Sequence, residues 1–224
     1  MTILDSTAQS VVDGLQARAQ PQRGALLRHY LPKLPRLLAG RPLGAWSDMG
    51  FYKDKLLPIE PAQGELLYLL ARTRGVRSAV EFGTSFGVSA IYLAAAIRDV
   101  GHGGRLIGTE LVPEKVAAAR RNLASAGLAS HAQIREGDAR QTLRALDAPV
   151  ELLLLDGWPA LALDVLQVVE PYLADNAIIV VDNVGQFPAD LAPVIERLTT
   201  HSRYRTSRMP LRGGTMVSVH RANP

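Results

Sequence analysis

The stretch Val80-Glu81-Phe82-Gly83-Thr84-Ser85-Phe86-Gly87-Val88-Ser89 joins an apolar strand to a helix through a glycine-bearing turn. Gly83 opens backbone angles closed to residues with a side chain, and Gly87 lets the following helix lie close to its strand. The first amides of that helix are left free to face a ligand. A turn of this kind needs a parallel sheet behind it, with crossover helices, so it restricts the chain to an open α/β fold. Its spacing is Glu-x-Gly-x-x-x-Gly. The dinucleotide fingerprint is Gly-x-Gly-x-x-Gly, and an acidic residue two positions before Gly83 is extra to it.

The rest of the chain agrees with that restriction. From Ser78 onward, short apolar runs alternate with helical periodicity. The strands expected are Ser78 to Phe82, Arg105 to Glu110, Ala132 to Glu136, Val150 to Asp156, Ala177 to Val181, Tyr204 to Met209 and Thr215 to His220. The last two are joined by Pro210 to Gly214, too short for a helical crossover, so they should be antiparallel. Val88, Ile91, Tyr92 and Ala95 share one helical face, and Pro113 opens the next helix at a favoured position. Further helices are expected over Leu161 to Tyr172 and Ala189 to His201. Residues 1–57 read instead as a helical cap or dimerisation arm, ahead of a main domain over 58–224. In it a helix runs from near Asp5 to Ala19, and another starts at Gln22, which Pro32 and Pro35 must bend or end.

With 224 residues and 47% hydrophobic content, the chain can bury a full core. It lacks cysteine, which excludes disulfides, thiolate metal sites and a cysteine nucleophile, and fits a cytoplasmic address. No apolar run reaches the roughly 18 residues of a membrane helix, and Met1 to Ser10 lacks the pattern of a signal peptide, so a soluble, unexported protein is expected. The net charge is +4. Its one dense basic group, Arg203, Arg205, Arg208 and Arg212, reads as a solvated strand face; a nucleic-acid surface would want a broader stripe with interleaved aromatics.

In an open parallel sheet, ligands sit beyond the carboxyl ends of the strands. The polar residues there are Glu81, Glu110, Asp138, Asp156 and Asp182-Asn183. Glu110 can accept two hydrogen bonds from a ribose diol, or cap the helix that follows. Asp138 can cap a helix at Ala139 or accept from an adenine amino group. Together with the turn, these acids suit S-adenosylmethionine (SAM) better than NAD. Leu152 to Asp156 and Ile178 to Asn183, if neighbouring strands, bring two carboxylates and an amide to one edge. Two Asp oxygens, one Asn oxygen and waters suit Mg²⁺ or Ca²⁺. Alternatively, Asp156 meets the cofactor while Asp182 and Asn183 shape a turn.

These motifs resemble the class I SAM-dependent methyltransferases and, within them, the cation-dependent O-methyltransferases of the catechol and caffeoyl-CoA type, bacterial branch. The resemblance covers Leu57 to His220. It rests on Pro58 to Gly64, Glu81 to Ser89, Glu110, Gly137-Asp138-Ala139, Asp156-Gly157-Trp158, Asp182-Asn183 and Met209 to Gly214. It implies a Rossmann-like fold with a seven-stranded, mostly parallel sheet, an antiparallel last strand and helices on both faces. The SAM methionine end is implied at Glu81, Gly83, Thr84, Ser85 and Ser89, with Leu57 and Ile59 along it. Glu110 is implied to hold the ribose, and Asp138 and Ala139 the adenine, with Trp158 packing nearby. Asp156, Asp182 and Asn183 match the metal ligands, which makes them the catalytic set, and Asp156 also borders the cofactor.

One position departs from the family. Many relatives carry a lysine three residues after the first metal-ligand aspartate, to take the proton of the substrate hydroxyl; this chain has Pro159. Lys53, Lys55 and His29 are candidate replacements, each also readable as a surface group. The function expected is methyl transfer from SAM to a hydroxyl of a small, catechol-like aromatic acceptor with Mg²⁺ assistance. Metal-independent transfer to another acceptor, a SAM-binding protein without catalysis and an NAD oxidoreductase are the alternatives. Neither a nucleic-acid nor a membrane partner is expected, and a homodimer would suit the arm.

Overall fold

The computed structural model describes residues 2–42 and 49–222. Its centre is one sheet of β1 (Ser78–Phe82), β2 (Arg105–Glu110), β3 (Ala132–Glu136), β4 (Val150–Leu155), β5 (Leu173–Val181), β6 (Tyr204–Met209) and β7 (Thr215–His220). The spatial order is β3-β2-β1-β4-β5-β7-β6. β1 pairs in parallel with β2 and β4, β2 with β3, and β4 with β5. β7 runs antiparallel to both β5 and β6. Chain order reverses between β1 and β4, which makes the crevice beyond their carboxyl ends the topological switch point.

The strands are apolar on both faces because helices cover both. Ala79, Leu106, Leu152, Leu154, Ile178 and Val180 enter one core; Val80, Leu153, Leu155, Ile179 and Val181, one residue out of phase, enter the other. The first core takes α1 (Ser6–Ala19), α5 (Pro61–Arg74), α6 (Val88–Val100) and α7 (Pro113–Ser125). The second takes α8 (Ala139–Thr142), α9 (Ala162–Val169) and α10 (Ala192–Thr200). Leu152, Leu153 and Leu154 are fully buried; truncating one such leucine to alanine costs about 2–5 kcal/mol.

The helix ends follow local chemistry. Asp5 caps α1, accepting from the Thr7 and Ala8 amides at 2.9 and 3.0 Å. Leu4, Ala8, Val12 and Leu15 then bury one face of α1 in the first core, so this helix is part of the domain's packing. Beyond it, α2 (Arg23–Tyr30), a 3₁₀ turn over Leu31–Lys33 and α3 (Leu34–Leu38) are stepped by Pro32 and Pro35, each in the first turn of a new segment. Leu27, Leu31, Leu34 and Leu38 of this arm are exposed. The chain returns to the domain through α4 (Met49–Tyr52). Among the described residues no helix is long and apolar enough to cross a membrane.

Candidate active site

The crevice between β1 and β4 has two walls. The first is the turn after β1. Glu81 is fully buried, and burial pushes its carboxyl above the usual range, against hydrogen bonds from Ser89 and Thr84. Thr84 Oγ1 donates to Glu81 Oε2 at 2.7 Å, while Oε1 has no partner. Ser85 stands at φ +50° and donates its amide to Glu110 Oε2 at 2.8 Å; the Val112 amide takes Oε1 at 2.9 Å. Glu110 is thereby fixed by one backbone donor on each oxygen, with acceptor capacity left over. A narrow cleft beside this wall is lined by Leu56 to Ile59, Gly83 to Phe86, Val88, Ser89 and Asp156.

The second wall is formed by the ends of β4 and β5. Leu155 pairs with Val181, and the Asp182 amide donates to the Leu155 carbonyl, which sets Asp156 beside Asp182. Asn183 adopts a left-handed φ of +61°. Its Nδ2 donates to Asp182 Oδ2 at 2.9 Å and reaches Asp156 Oδ1 at 3.4 Å. Burial first, then the charge of Asp182, pushes the Asp156 carboxyl well above the usual range. Burial raises Asp182 too, opposed by hydrogen-bond donors around it. The pair therefore favours one shared proton. The Asn183 Oδ1 lies against Gly213 in the β6–β7 turn, where a Cβ would come within 3.0 Å. That turn is tied on by Val184 and Gly185 amides donating to the Gly214 and Gly213 carbonyls.

The two walls touch. Gly83 stands at φ +97°, and a Cβ there would lie 2.5 Å from Gly157 Cα and 2.6 Å from the Asp156 carbonyl oxygen. No side chain fits at that distance, so glycine is required both by conformation and by contact.

The sequence-derived candidates separate accordingly. Glu81, Gly83, Thr84, Ser85, Ser89, Glu110, Leu57 and Ile59 gather around the first wall, and Asp156, Asp182 and Asn183 form the second. Asp138 caps α8 through the Arg140 amide at 2.9 Å, and the Arg140 guanidinium engages both its oxygens. Ala139 is buried in the second core. Trp158 sets its ring edge-on to Tyr52 of the arm, centroids 5.5 Å apart. Pro159 begins a 3₁₀ turn, Pro159–Leu161. Lys53 pairs with Glu114 and Lys55 with Asp54, both in a groove of about 580 Å³ shared with Phe86 and Lys115. His29 stacks on Phe51 at 3.7 Å and meets Lys33. None of these three lines the narrow cleft with Asp156.

Two aromatic residues escaped the sequence reading. Tyr52 donates its hydroxyl to Tyr30 at 2.6 Å, and Tyr30 leans on Phe187, four residues past Asn183. Burial raises the pKa of both phenols. The available signal was the adjacent pair Phe51-Tyr52 in a chain with only 5% aromatics.

The donors of the second wall fit a hard divalent cation. Asp156 Oδ1 and Asp182 Oδ2 both face the Asn183 amide, and two repelling carboxylates gain from a positive charge between them. Asn183 would supply its oxygen after a half-turn of the amide, an exchange that leaves its shape unchanged. Among the described residues no three His, Cys, Asp or Glu side chains gather to hold a metal, so the amide is needed as third donor.

Known proteins share much of this sequence and fold. Residues 80–184 match the family model described as a methyltransferase domain. A catechol O-methyltransferase of Niastella koreensis is 33% identical over 132 residues, covering 57% of this chain and 58% of that one. A catechol O-methyltransferase of Mycobacterium tuberculosis is 34% identical over 129 residues, 57% of each chain. The chain thus spans less than two thirds of these curated relatives. Among solved structures, an O-methyltransferase of Streptomyces achromogenes involved in tomaymycin synthesis, in complex with SAM, matches with a TM-score of 0.70 and 26% identity. The match covers 78% of this chain and 86% of that one. Residues 80–184 thus match a methyltransferase domain, and the chain is similar to O-methyltransferases in sequence and in its Rossmann-like sheet.

Proposed function

We propose that this chain transfers the methyl group of SAM to a hydroxyl of a small aromatic acceptor with two neighbouring hydroxyls, and that Asp156, Asp182 and Asn183 hold a divalent cation, Mg²⁺ by preference. The observation that carries this reading is the pairing of Asp156 with Asp182 at the ends of neighbouring strands, backed directly onto Gly83 of the turn. The names of the two catechol relatives favour the same acceptor class.

The chain's own residues prepare the reaction. Glu110, anchored by two amides, offers its remaining lone pairs to the ribose diol. Glu81 Oε1, buried and unpartnered, is placed to accept from the ammonium of the methionine end, which would also favour its charged form. Trp158, two residues past Asp156, packs edge-on against the buried Tyr52, an apolar pair suited to border a planar acceptor and to exclude water. A divalent cation, when bound, lowers the pKa of a hydroxyl it touches. Holding the acceptor oxygen in line with an already electrophilic methyl carbon supplies much of the acceleration. Pro159 carries no base, so the acceptor proton leaves to water or to another side chain.

Release of S-adenosylhomocysteine (SAH), followed over a panel of vicinal diols with Mg²⁺ and with EDTA, tests the proposal. Turnover on catechols that EDTA abolishes is expected, as is loss of turnover with retained SAH binding in Asp182→Ala. Turnover indifferent to EDTA removes the cation from the reading. Pro159 favours a second reading, metal-independent transfer to a different acceptor such as an amine. Turnover on amines alone selects it.

A further inference from the structure

Asp182 divides its two oxygens between two surroundings. Oδ2 meets Asn183 Nδ2 in the acid wall, beside Asp156. Oδ1 is buried without a hydrogen-bond partner, and so are two donors from distant parts of the chain, Gln63 Nε2 and Thr215 Oγ1. Both side chains stand near Asp182, though short of hydrogen-bond geometry. Buried donors are almost always paired. Two such donors converging on one half-satisfied carboxylate mark it as the acceptor they are there to serve.

The topology brings them together. Val181 pairs with Met216 across antiparallel β5 and β7, so the next step of the register sets Thr215 opposite Asp182. Gln63 lies in the first turn of α5, 3% exposed, directly after the Leu56 to Ile59 stretch that lines the narrow cleft. Neither residue lines that cleft itself. Both are neutral, and that matters chemically: a neutral donor steadies a carboxylate without cancelling its charge, whereas lysine or arginine would take the charge that a cation requires.

We propose that Gln63 and Thr215 are positioning residues for Asp182, taking its Oδ1 so that Oδ2 stays turned toward the acid wall for a divalent cation. The proposal rests on the metal reading given above. Hydrogen bonds to a ligating carboxylate orient it, and their loss typically weakens metal affinity by tenfold or more. Gln63 also links the acid wall to the segment beside the cofactor cleft, so one side chain ties α5 to the end of β5.

The test is Mn²⁺ binding to the full chain saturated with SAH, followed by electron paramagnetic resonance without any acceptor. Thr215→Val keeps the side chain's shape and removes its hydroxyl; Gln63→Met keeps length and removes the amide. Each is expected to weaken Mn²⁺ binding about tenfold, with SAH affinity and the melting temperature in EDTA close to wild type. Thr215→Ser is expected to restore the affinity. Wild-type Mn²⁺ affinity in Thr215→Val and Gln63→Met overturns the proposal and leaves the metal reading standing. A lowered melting temperature with unchanged Mn²⁺ affinity in the folded protein overturns it in favour of a packing role. Absence of Mn²⁺ binding by the wild type overturns the metal reading and this proposal with it.

Discussion

The two walls of the crevice are built on opposite principles. On the turn side, Glu110 is held by two amides and Glu81 by a hydroxyl, with Glu81 Oε1 the one oxygen of the pair left without a partner. On the acid side, Asp156 and Asp182 repel, with the Asn183 amide reaching toward both. The first wall is preorganised by backbone; the second holds an electrostatic conflict that a ligand can resolve. Under the proposed function, the contrast gives recognition to one wall and chemistry to the other.

Substitutions can break that division, the most severe first. Gly83→Ala forces a Cβ onto Gly157 at 2.5 Å and a left-handed φ onto alanine. Strain plus overpacking of several kcal/mol should weaken SAH binding on the order of a hundredfold or more, read by calorimetry; near-native affinity would show that the walls are not in contact in solution. Glu110→Ala should weaken SAH binding about 10- to 100-fold by removing a charged acceptor. Mn²⁺ binding should be unchanged, and a parallel loss of both would merge the two walls into one unit.

The acid wall predicts the opposite sign for stability. Burial and then the charge of Asp182 raise the folded-state pKa of Asp156 above its unfolded value, so the folded state binds the proton more tightly. Stability therefore falls as pH rises from the unfolded pKa toward the folded one. In EDTA, Asp156→Asn should melt higher than wild type at pH 7, by roughly 2–4 °C per kcal/mol relieved. The advantage should shrink as the pH approaches 4, and a lower melting temperature at pH 7 would mean that the conflict is already resolved within the chain. The smallest effect concerns the arm. Tyr52→Phe removes one hydrogen bond to Tyr30, costing about 0.5–1.5 kcal/mol, and should raise the acceptor KM a few-fold without changing SAH affinity. An unchanged KM would remove the arm from the acceptor pocket.

Much of the fold could be read because apolar runs mark strands covered on both faces. β1, β2, β3, β6 and β7 have the expected ends, and β4 ends one residue early, at Leu155. β5 starts at Leu173 and not at Ala177: the exposed Asp175-Asn176 interrupts the apolar run, Asn176 takes a left-handed φ of +60°, and the register with β4 shifts before pairing resumes at Ile178. The helix expected over Leu161 to Tyr172 is instead α9 between two 3₁₀ turns, since Pro159 and Pro171 each open one. The acid wall was legible because each carboxylate ends an apolar run. Gln63 and Thr215 were not read as site residues: neutral side chains acquire a role only once β7 is laid against β5 and α5 against the sheet. The Gly213-Gly214 turn sets Thr215 opposite Met209 of β6, and only the long-range pairing of β7 with β5 brings it to Asp182. The arm gave least, since its exposed leucines show a face without saying what it meets.

The contact of Gly83 with Gly157 and the Asp156 carbonyl has a practical meaning for anyone altering this protein's selectivity. Two backbones meet there with no side chain between them, so a shift of the loop after β4 is passed straight to the loop after β1. Redesign of the proposed acceptor pocket should leave that joint alone and work on the aromatic group of Tyr30, Tyr52 and Trp158, where side chains rather than main chains set the spacing.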